Sequence, residues 1–277
     1  MSTSTKLSNF SVGWKKDFKE FDLIIINSSG GKDSLVSLHK VVQMAKHQKY
    51  PLDKIVVSHQ DLGRMEWPFT KELVNQQADL YGLKTVYSKR RDKNGYEETL
   101  LEYVLRRGKW PSSDKRWCTS DFKRGPGARV VTALTKNLGS CKVLYVFGFR
   151  KDESPARAKK EPLKLNKMLT TKKRVVYDWL PIHHWDEERV WYSIKTNNLP
   201  YHYAYDLGIP RLSCCFCIFS PFDALVLAGR ANRKLLDEYV EVEEITGHKF
   251  REDCWLSDVR DAVDLGYVPS KVSGWAM

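Results

Sequence analysis

Six residues near the amino end, Ser29-Gly30-Gly31-Lys32-Asp33-Ser34, have the chemistry of an anion site. The two glycines let backbone come close to an anion, Lys32 adds charge, and the hydroxyls of Ser29 and Ser34 add donors. The run before them, Leu23-Ile24-Ile25-Ile26, is apolar and mostly β-branched. After them Leu35, Leu38, Val42 and Ala45 recur at helical spacing. A buried strand that feeds a glycine turn and a helix start aims the free N–H groups of the first helical turn at whatever occupies the turn. The usual P-loop pattern, G-x-x-x-x-G-K-[ST], is not met, because Gly-Gly-Lys-Asp-Ser stands in its place.

Thiols form the second set. Cys214 and Cys217 have the C-x-x-C spacing that lets two thiolates reach one metal centre, and Cys118, beside Trp117, is the candidate third ligand. Three ligands suggest an iron–sulfur cluster with an open iron, unless Cys215 or Cys254 supplies a fourth. Zinc, the alternative, more usually takes four closed ligands in a structural site. A redox C-x-x-C is a further option without a thioredoxin-like setting around it. Cys141, at a strand entrance, reads as a small buried residue.

The third set is Gly148-Phe149-Arg150-Lys151-Asp152-Glu153-Ser154-Pro155-Ala156-Arg157. Arg150 and Arg157 can grip phosphate or sulfate oxygens bidentately. Glu153 can orient one of those arginines or hold Mg²⁺ beside the phosphates. Asp61 ends a predicted strand, and His59 just before it carries a weak claim to a role. His183 and His184 read as packing residues. Trp67, Trp110, Trp117, Trp185 and Trp191 are core candidates, with Trp117 able to shield a cluster or stack a base.

Elements that position these sets alternate along the chain. Strands are predicted over Leu23–Ile26, Lys54–Asp61, Lys84–Ser88, Lys142–Phe149 and Val175–Ile182. Helices are predicted after Ser34, from Pro68 to a stop at Gly82, through Leu100–Leu105 to Gly108, through Val130–Leu138 to Gly139, and from a cap at Asp186 to about Asn198. The pattern argues for an α/β fold with a doubly wound, mostly parallel sheet, whose ligands bind at the carboxyl ends of the strands. The division expected is a nucleotide-binding α/β domain over 1–182 and a mainly helical C-terminal region over 183–277 that carries the C-x-x-C. From Arg157 to Arg174 eight Lys and Arg face the single Glu161, which reads as a mobile basic loop: either a solvated surface segment or an arm that closes over a polyanion.

The balance of 46 Lys and Arg against 34 Asp and Glu, net +12 in 277 residues, favours polyanionic partners without separating DNA or RNA from phosphorylated metabolites. Met1–Lys16 lacks the apolar core of a signal peptide, and no run approaches a membrane span. Six cysteines in that setting read as cytoplasmic thiols or metal ligands rather than a disulfide scaffold. A homo-oligomer stays open.

Ser29–Ser34 resembles the PP-loop of the adenine-nucleotide α-hydrolase superfamily. With Trp117-Cys118-Thr119 and Lys123, Gly148-x-Arg150-x-x-Glu153-Ser154, and the C-x-x-C after Asp206-Leu207-Gly208, the chain resembles the phosphoadenosine phosphosulfate reductase family from about residue 22 to 222. The family's reductases carry a nucleophilic cysteine in a Glu-Cys-Gly-hydrophobic-His motif near the C-terminus. Asp253-Cys254-Trp255 does not match it and no cysteine follows, so sulfate reduction by that route is not expected. The motif set is more similar to the branch containing the sulfurtransferase of DNA phosphorothioation. That resemblance implies adenylation of a nucleic-acid acceptor by ATP with Mg²⁺, then sulfur insertion with sulfur from a donor such as a cysteine desulfurase, and a cluster of the [4Fe-4S] kind. The alternatives are a reductase acting on adenylated sulfate and a non-catalytic nucleotide- and cluster-binding regulator. The implied site is Lys32, Asp33, Arg150 and Glu153 for catalysis. Ser29, Gly30, Gly31, Lys32, Asp33, Ser34, Asp61, Gly148, Arg150 and Arg157 would hold the nucleotide, and Cys118, Cys214 and Cys217 the metal.

Overall fold

The computed structural model describes residues 17–270 and 272, so the polar leader Met1–Lys16 and the last residues of the tail lie outside the described residues. Its centre is a six-stranded sheet in the order β3-β2-β1-β4-β6-β5. The strands are β1 (Leu23–Asn27), β2 (Ile55–Gln60), β3 (Lys84–Ser88), β4 (Cys141–Val146), β5 (Leu163–Leu165) and β6 (Arg174–Trp179). All neighbouring pairs are parallel except β5 with β6. The chain runs outward from β1 through β2 to β3, then returns to lay β4 on the other side of β1. The crevice at that reversal, above the carboxyl ends of β1 and β4, is where open α/β sheets bind ligands.

The continuous apolar run in β1 follows from burial on both faces. Ile24 and Ile26 pack with Val57, Leu144 and Val146 against α1 (Lys32–His47) and α2 (Thr70–Asp79). Leu23 and Ile25 face the opposite way, against Val56, Val143, Tyr145 and Val131 of α5 (Gly125–Thr135). Each strand thus sends alternate residues into two cores, as a period of two requires.

A third core is helical. It joins α8 (Phe222–Ala231), α9 (Arg233–Thr246) and α10 (Leu256–Asp264) to α3 (Leu100–Arg107) and to Met65, Trp67, Trp110, Trp117 and Phe122. Trp110 stacks on Tyr239 with ring centroids 5.2 Å apart. A division at 182 therefore does not follow the packing. Ile182, Trp185, Val190 and Ile194 of the following segment and α7 (Glu187–Thr196) pack on Leu35 and Val36 of α1, while residues from 65 to 122 belong partly to the helical lobe.

The basic segment also departs from expectation. It is not a loose loop: β5 pairs antiparallel with β6, Leu163 opposite Trp179 and Leu165 opposite Tyr177. The result is a short lysine-rich edge ribbon, and lysines on an edge strand block further strand pairing. Among the described residues no helix is long and apolar enough to cross a membrane.

Candidate nucleotide and thiol site

The loop after β1 is built as its sequence demands. Gly30 takes φ +73°, a left-handed conformation that favours glycine, and a Cβ there would lie 3.1 Å from the Thr70 side chain. Gly31 caps α1 without a side-chain bond of its own. The Ser34 hydroxyl donates to the Gly31 carbonyl at 2.8 Å and accepts from the Ser29 N–H at 3.3 Å. Lys32 is buried. Its Nζ donates to the Pro210 carbonyl at 2.6 Å and pairs with Glu187 at 3.4 Å. Its backbone N–H, in the first turn of α1, donates at 2.8 Å to the Tyr205 hydroxyl.

Opposite lies the loop after β4. A Cβ on Gly148 would sit 2.7 Å from the Asp33 carbonyl oxygen, so glycine there lets two backbones touch. Arg150 is buried and committed to carboxylates: Nε donates to Asp33 at 2.6 Å and Nη1 to both oxygens of Asp152 at 2.6 Å. It fixes the start of α1 rather than presenting a free fork to phosphate. Burial pushes the Asp33 carboxyl above the usual carboxylate range, against the pull of Lys32 and Arg150. Glu153 accepts from the Arg150 N–H at 2.8 Å and pairs with Arg157, which is the orienting arrangement among its two expected ones. Arg157 also lies over the Phe149 ring at 4.3 Å. Gly148→Ala should disturb this contact between two backbones, lowering the melting temperature and weakening nucleotide binding together. Differential scanning fluorimetry with and without ATP reads both effects.

Asp61 serves the loop after β2. It accepts from the Gly63 N–H at 2.7 Å and pairs with Lys71 at 3.2 Å. Burial alone would raise its carboxyl, but the Gly63 N–H and Lys71 hold it below the ordinary range. With Trp67, Phe69, Thr70 and Lys71 it lines a cavity of about 420 Å³, beside Gly30 through Thr70.

The thiols meet at a second cavity, of about 100 Å³, lined by Cys118, Cys214 and Cys217 together with Lys123 and Arg211. Cys118 lies in α4 (Trp117–Thr119), and a π-helical turn, Ser120–Arg124, follows before α5. An α-helix would carry residue i+5 round to another face, whereas a π turn closes i to i+5 and brings Lys123 back toward the cavity. The segment bearing the C-x-x-C is pinned to the loop after β2: Cys214 bridges antiparallel to Glu66, and the Cys215 N–H donates to the Met65 carbonyl at 2.9 Å. Cys215 and Cys254 point into the helical core instead and do not line this cavity. Burial pushes Cys214 up to about 11, opposed by Lys123, and raises Cys118 as well. Thiols held protonated in this way need a cation to become ligands. The three thiols line this one cavity, and among the described residues no group of three or more His, Cys, Asp or Glu is placed to hold a metal ion.

Four residues beyond the expected set shape the site. Lys123 and Arg211 line the thiol cavity. His183 is more than packing, since its Nε2 meets the Arg157 carbonyl at 3.0 Å and its own carbonyl accepts from the Lys151 N–H at 2.9 Å, bracing the loop after β4. His59 lies between acceptors, the Ser28 carbonyl at 2.9 Å and the Glu66 carboxylate at 3.0 Å. Burial would lower its imidazole, but Glu66 and the Ser28 carbonyl raise it above the ordinary range. Trp117 is buried edge-on against Tyr103 at 4.9 Å in the helical core, and it does not line the thiol cavity.

The phosphoadenosine phosphosulfate reductase domain matches residues 23–219. The chain belongs to this family. The matched span opens on the first residue of β1 and closes just past Cys217, so the family domain contains both cavities' motifs and leaves out α8–α10. Among relatives of the family, an adenosine 5'-phosphosulfate reductase of Staphylococcus haemolyticus is 26% identical over 73% of this chain and 73% of its own length. An uncharacterized protein of Methanocaldococcus jannaschii is 30% identical over 68% of this chain, which spans 40% of that protein. Two solved structures are similar at lower identity. Phosphoadenylyl-sulfate reductase from Candida auris has a TM-score of 0.49 at 21% identity, over 77% of this chain and 97% of that one. The U34-tRNA thiolase NcsA of Methanococcus maripaludis, solved with its [4Fe-4S] cluster, has a TM-score of 0.46 at 13% identity, over 98% and 81%.

Proposed function

We propose that this family member is an ATP-dependent sulfurtransferase that adenylates an oxygen of a nucleic-acid acceptor and then replaces it with sulfur. One observation supports the reading: a single short segment joins the loop of Lys32 to the thiol cavity. Pro210 holds the Lys32 ammonium, Leu212 packs on Gly31, and Cys214 follows two residues later. A phosphate at the loop and a sulfur at the thiols are thereby neighbours, as a transfer between them requires.

In this reading the polyphosphate lies on the first turn of α1, and the 420 Å³ cavity beside Gly30, within the size range of small-molecule sites, takes the nucleoside. The acceptor oxygen attacks the α-phosphorus and pyrophosphate leaves, its charge met by Lys32 and by Mg²⁺ carried on the phosphates. Glu153 keeps Arg157 turned toward the anion. Hydrosulfide, released from the donor's persulfide by a thiol reductant, then forms a bond to the acceptor as the bond to the adenylated oxygen breaks and AMP departs. An iron–sulfur cluster held by Cys118, Cys214 and Cys217 would supply an open iron for the incoming sulfur, since three thiolates leave one iron of a four-iron cluster without a protein ligand, whereas structural zinc takes four.

Pyrophosphate release from ATP, measured with anaerobically purified protein with and without DNA or RNA, tests the proposal. No stimulation by either polymer would defeat it. The kinship with adenosine 5'-phosphosulfate reductases favours a second reading, sulfite release from adenylated sulfate. Cys254, the cysteine that reading would have to recruit, is buried in the helical core.

The lysine ribbon is the expected nucleic-acid contact. Exposed Lys159, Lys167, Lys172 and Lys173 lie on or beside the hairpin that follows Arg157. Replacing Lys167, Lys172 and Lys173 with alanine should weaken binding of unrelated sequences alike and flatten the salt dependence by about one unit of log–log slope per lysine. Filter binding across a salt series checks this.

A further inference from the structure

Arg211 stands between the loop of Lys32 and the thiol cavity. The residue before it gives its carbonyl to Lys32 Nζ at 2.6 Å, and the residue after it would lie 3.4 Å from a Cβ on Gly31, so both flanks touch the phosphate loop. Its own side chain lines the thiol cavity. The charges it feels come from both directions: Arg157, Glu153 and Asp33 from the nucleotide side, and Cys217 from the thiol side. The guanidinium makes no hydrogen bond or ion pair among the described residues, unlike Arg150 and Arg157, which are held by carboxylates. A half-buried guanidinium with unused donors is an anion site, because five N–H groups in a fixed fork match the oxygens of a phosphoryl or sulfuryl group.

We propose that Arg211 binds the oxyanion at the reaction centre, the phosphoryl or sulfuryl group attached to the nucleotide, and holds it between the loop of Lys32 and the thiol cavity. This rests on the nucleotide reading above and adds a substrate-contacting residue to it. Lys32 and the first turn of α1 take the outer phosphates, and Arg211 takes the group from which the bond to sulfur or to AMP is made and broken. Its fork geometry makes lysine an incomplete replacement.

The test uses the full chain, purified anaerobically, as wild type, R211Q and R211K. Equilibrium binding of ATP, adenylyl sulfate and adenosine is measured beside iron content and melting temperature. R211Q should lose about tenfold or more in affinity for at least one of the two anions while adenosine binding, iron and melting stay at wild-type values. R211K should recover part of the loss. A larger loss for adenylyl sulfate marks a sulfuryl group as the ligand, and a larger loss for ATP marks a phosphoryl group. Anion binding by R211Q within about twofold of wild type overturns the assignment. An equal loss of adenosine binding also overturns it, since that marks a merely structural role. Should R211Q fail to fold, R211K decides alone, and unchanged anion affinity in it counts against the proposal. A wild-type chain that binds neither ATP nor adenylyl sulfate overturns the nucleotide reading itself, and this one with it.

Discussion

Lys32→Ala should abolish turnover while leaving the protein folded. The ammonium is buried at the first turn of α1, and its present partners are the Pro210 carbonyl, the half-exposed Glu187 carboxylate and, at 3.9 Å, the Asp33 carboxylate. Losing it takes one of two cations from the partly buried Asp33 carboxylate, which keeps Arg150 at 2.6 Å, so the variant stays folded with a lowered melting temperature. Losing it from a bound polyphosphate is another matter. A charge-assisted hydrogen bond in a site that excludes water contributes about 1.5–3 kcal/mol to binding. Removing a donor aimed at developing charge typically costs about 10²–10³ in rate. Titration calorimetry with a non-hydrolysable ATP analogue, next to a melting curve, separates these effects. Tight binding retained by a well-folded variant would mean that the phosphates sit elsewhere.

Cys214→Ala should have an equally large effect for a different reason. Its thiol lines the cavity with Cys118 and Cys217, and its backbone is fixed by the bridge to Glu66, so alanine removes a ligand without freeing the segment. Iron per chain and the visible absorption of anaerobic protein should fall to background, and activity with them, while nucleotide affinity persists. Cys215→Ala is the matched control. That side chain belongs to the helical core, so its loss should lower the melting temperature by a few degrees and leave iron intact. Equal iron in the Cys214 and Cys215 variants would remove the thiol cavity from the mechanism.

Local features of the site were plain in the sequence. The isoleucine run, the glycine pair and the helical spacing after Ser34 all act within about twenty residues, and they placed β1, the loop and α1 correctly. The C-x-x-C spacing and Cys118 identified the three thiols that line one cavity. What escaped depends on contacts between distant residues. Leu163-Lys164-Leu165 is too short and too charged to signal a strand, and only pairing with β6 makes it one. The π turn that brings Lys123 round has no pattern of its own, since hydrophobic spacing there fits an α-helix as well. Arg150 looked like a phosphate fork until Asp33, over a hundred residues earlier, was seen to hold it. Arg211 sits in a stretch with no periodicity, and its position becomes visible only once Pro210 and Leu212 are found against the loop of Lys32.

The phenol of Tyr205 rests on the same backbone N–H that a phosphate oxygen would claim. A nucleotide entering the loop must evict it, so the measured affinity understates the intrinsic one by the fraction of molecules in which the ring has already withdrawn. Tyr205 lies only nine residues before Cys214, on the strap whose later residues form the thiol cavity. Wherever eviction also shifts that strap, the thiol cavity and the nucleotide are linked, and by reciprocity each alters the other's binding by the same factor.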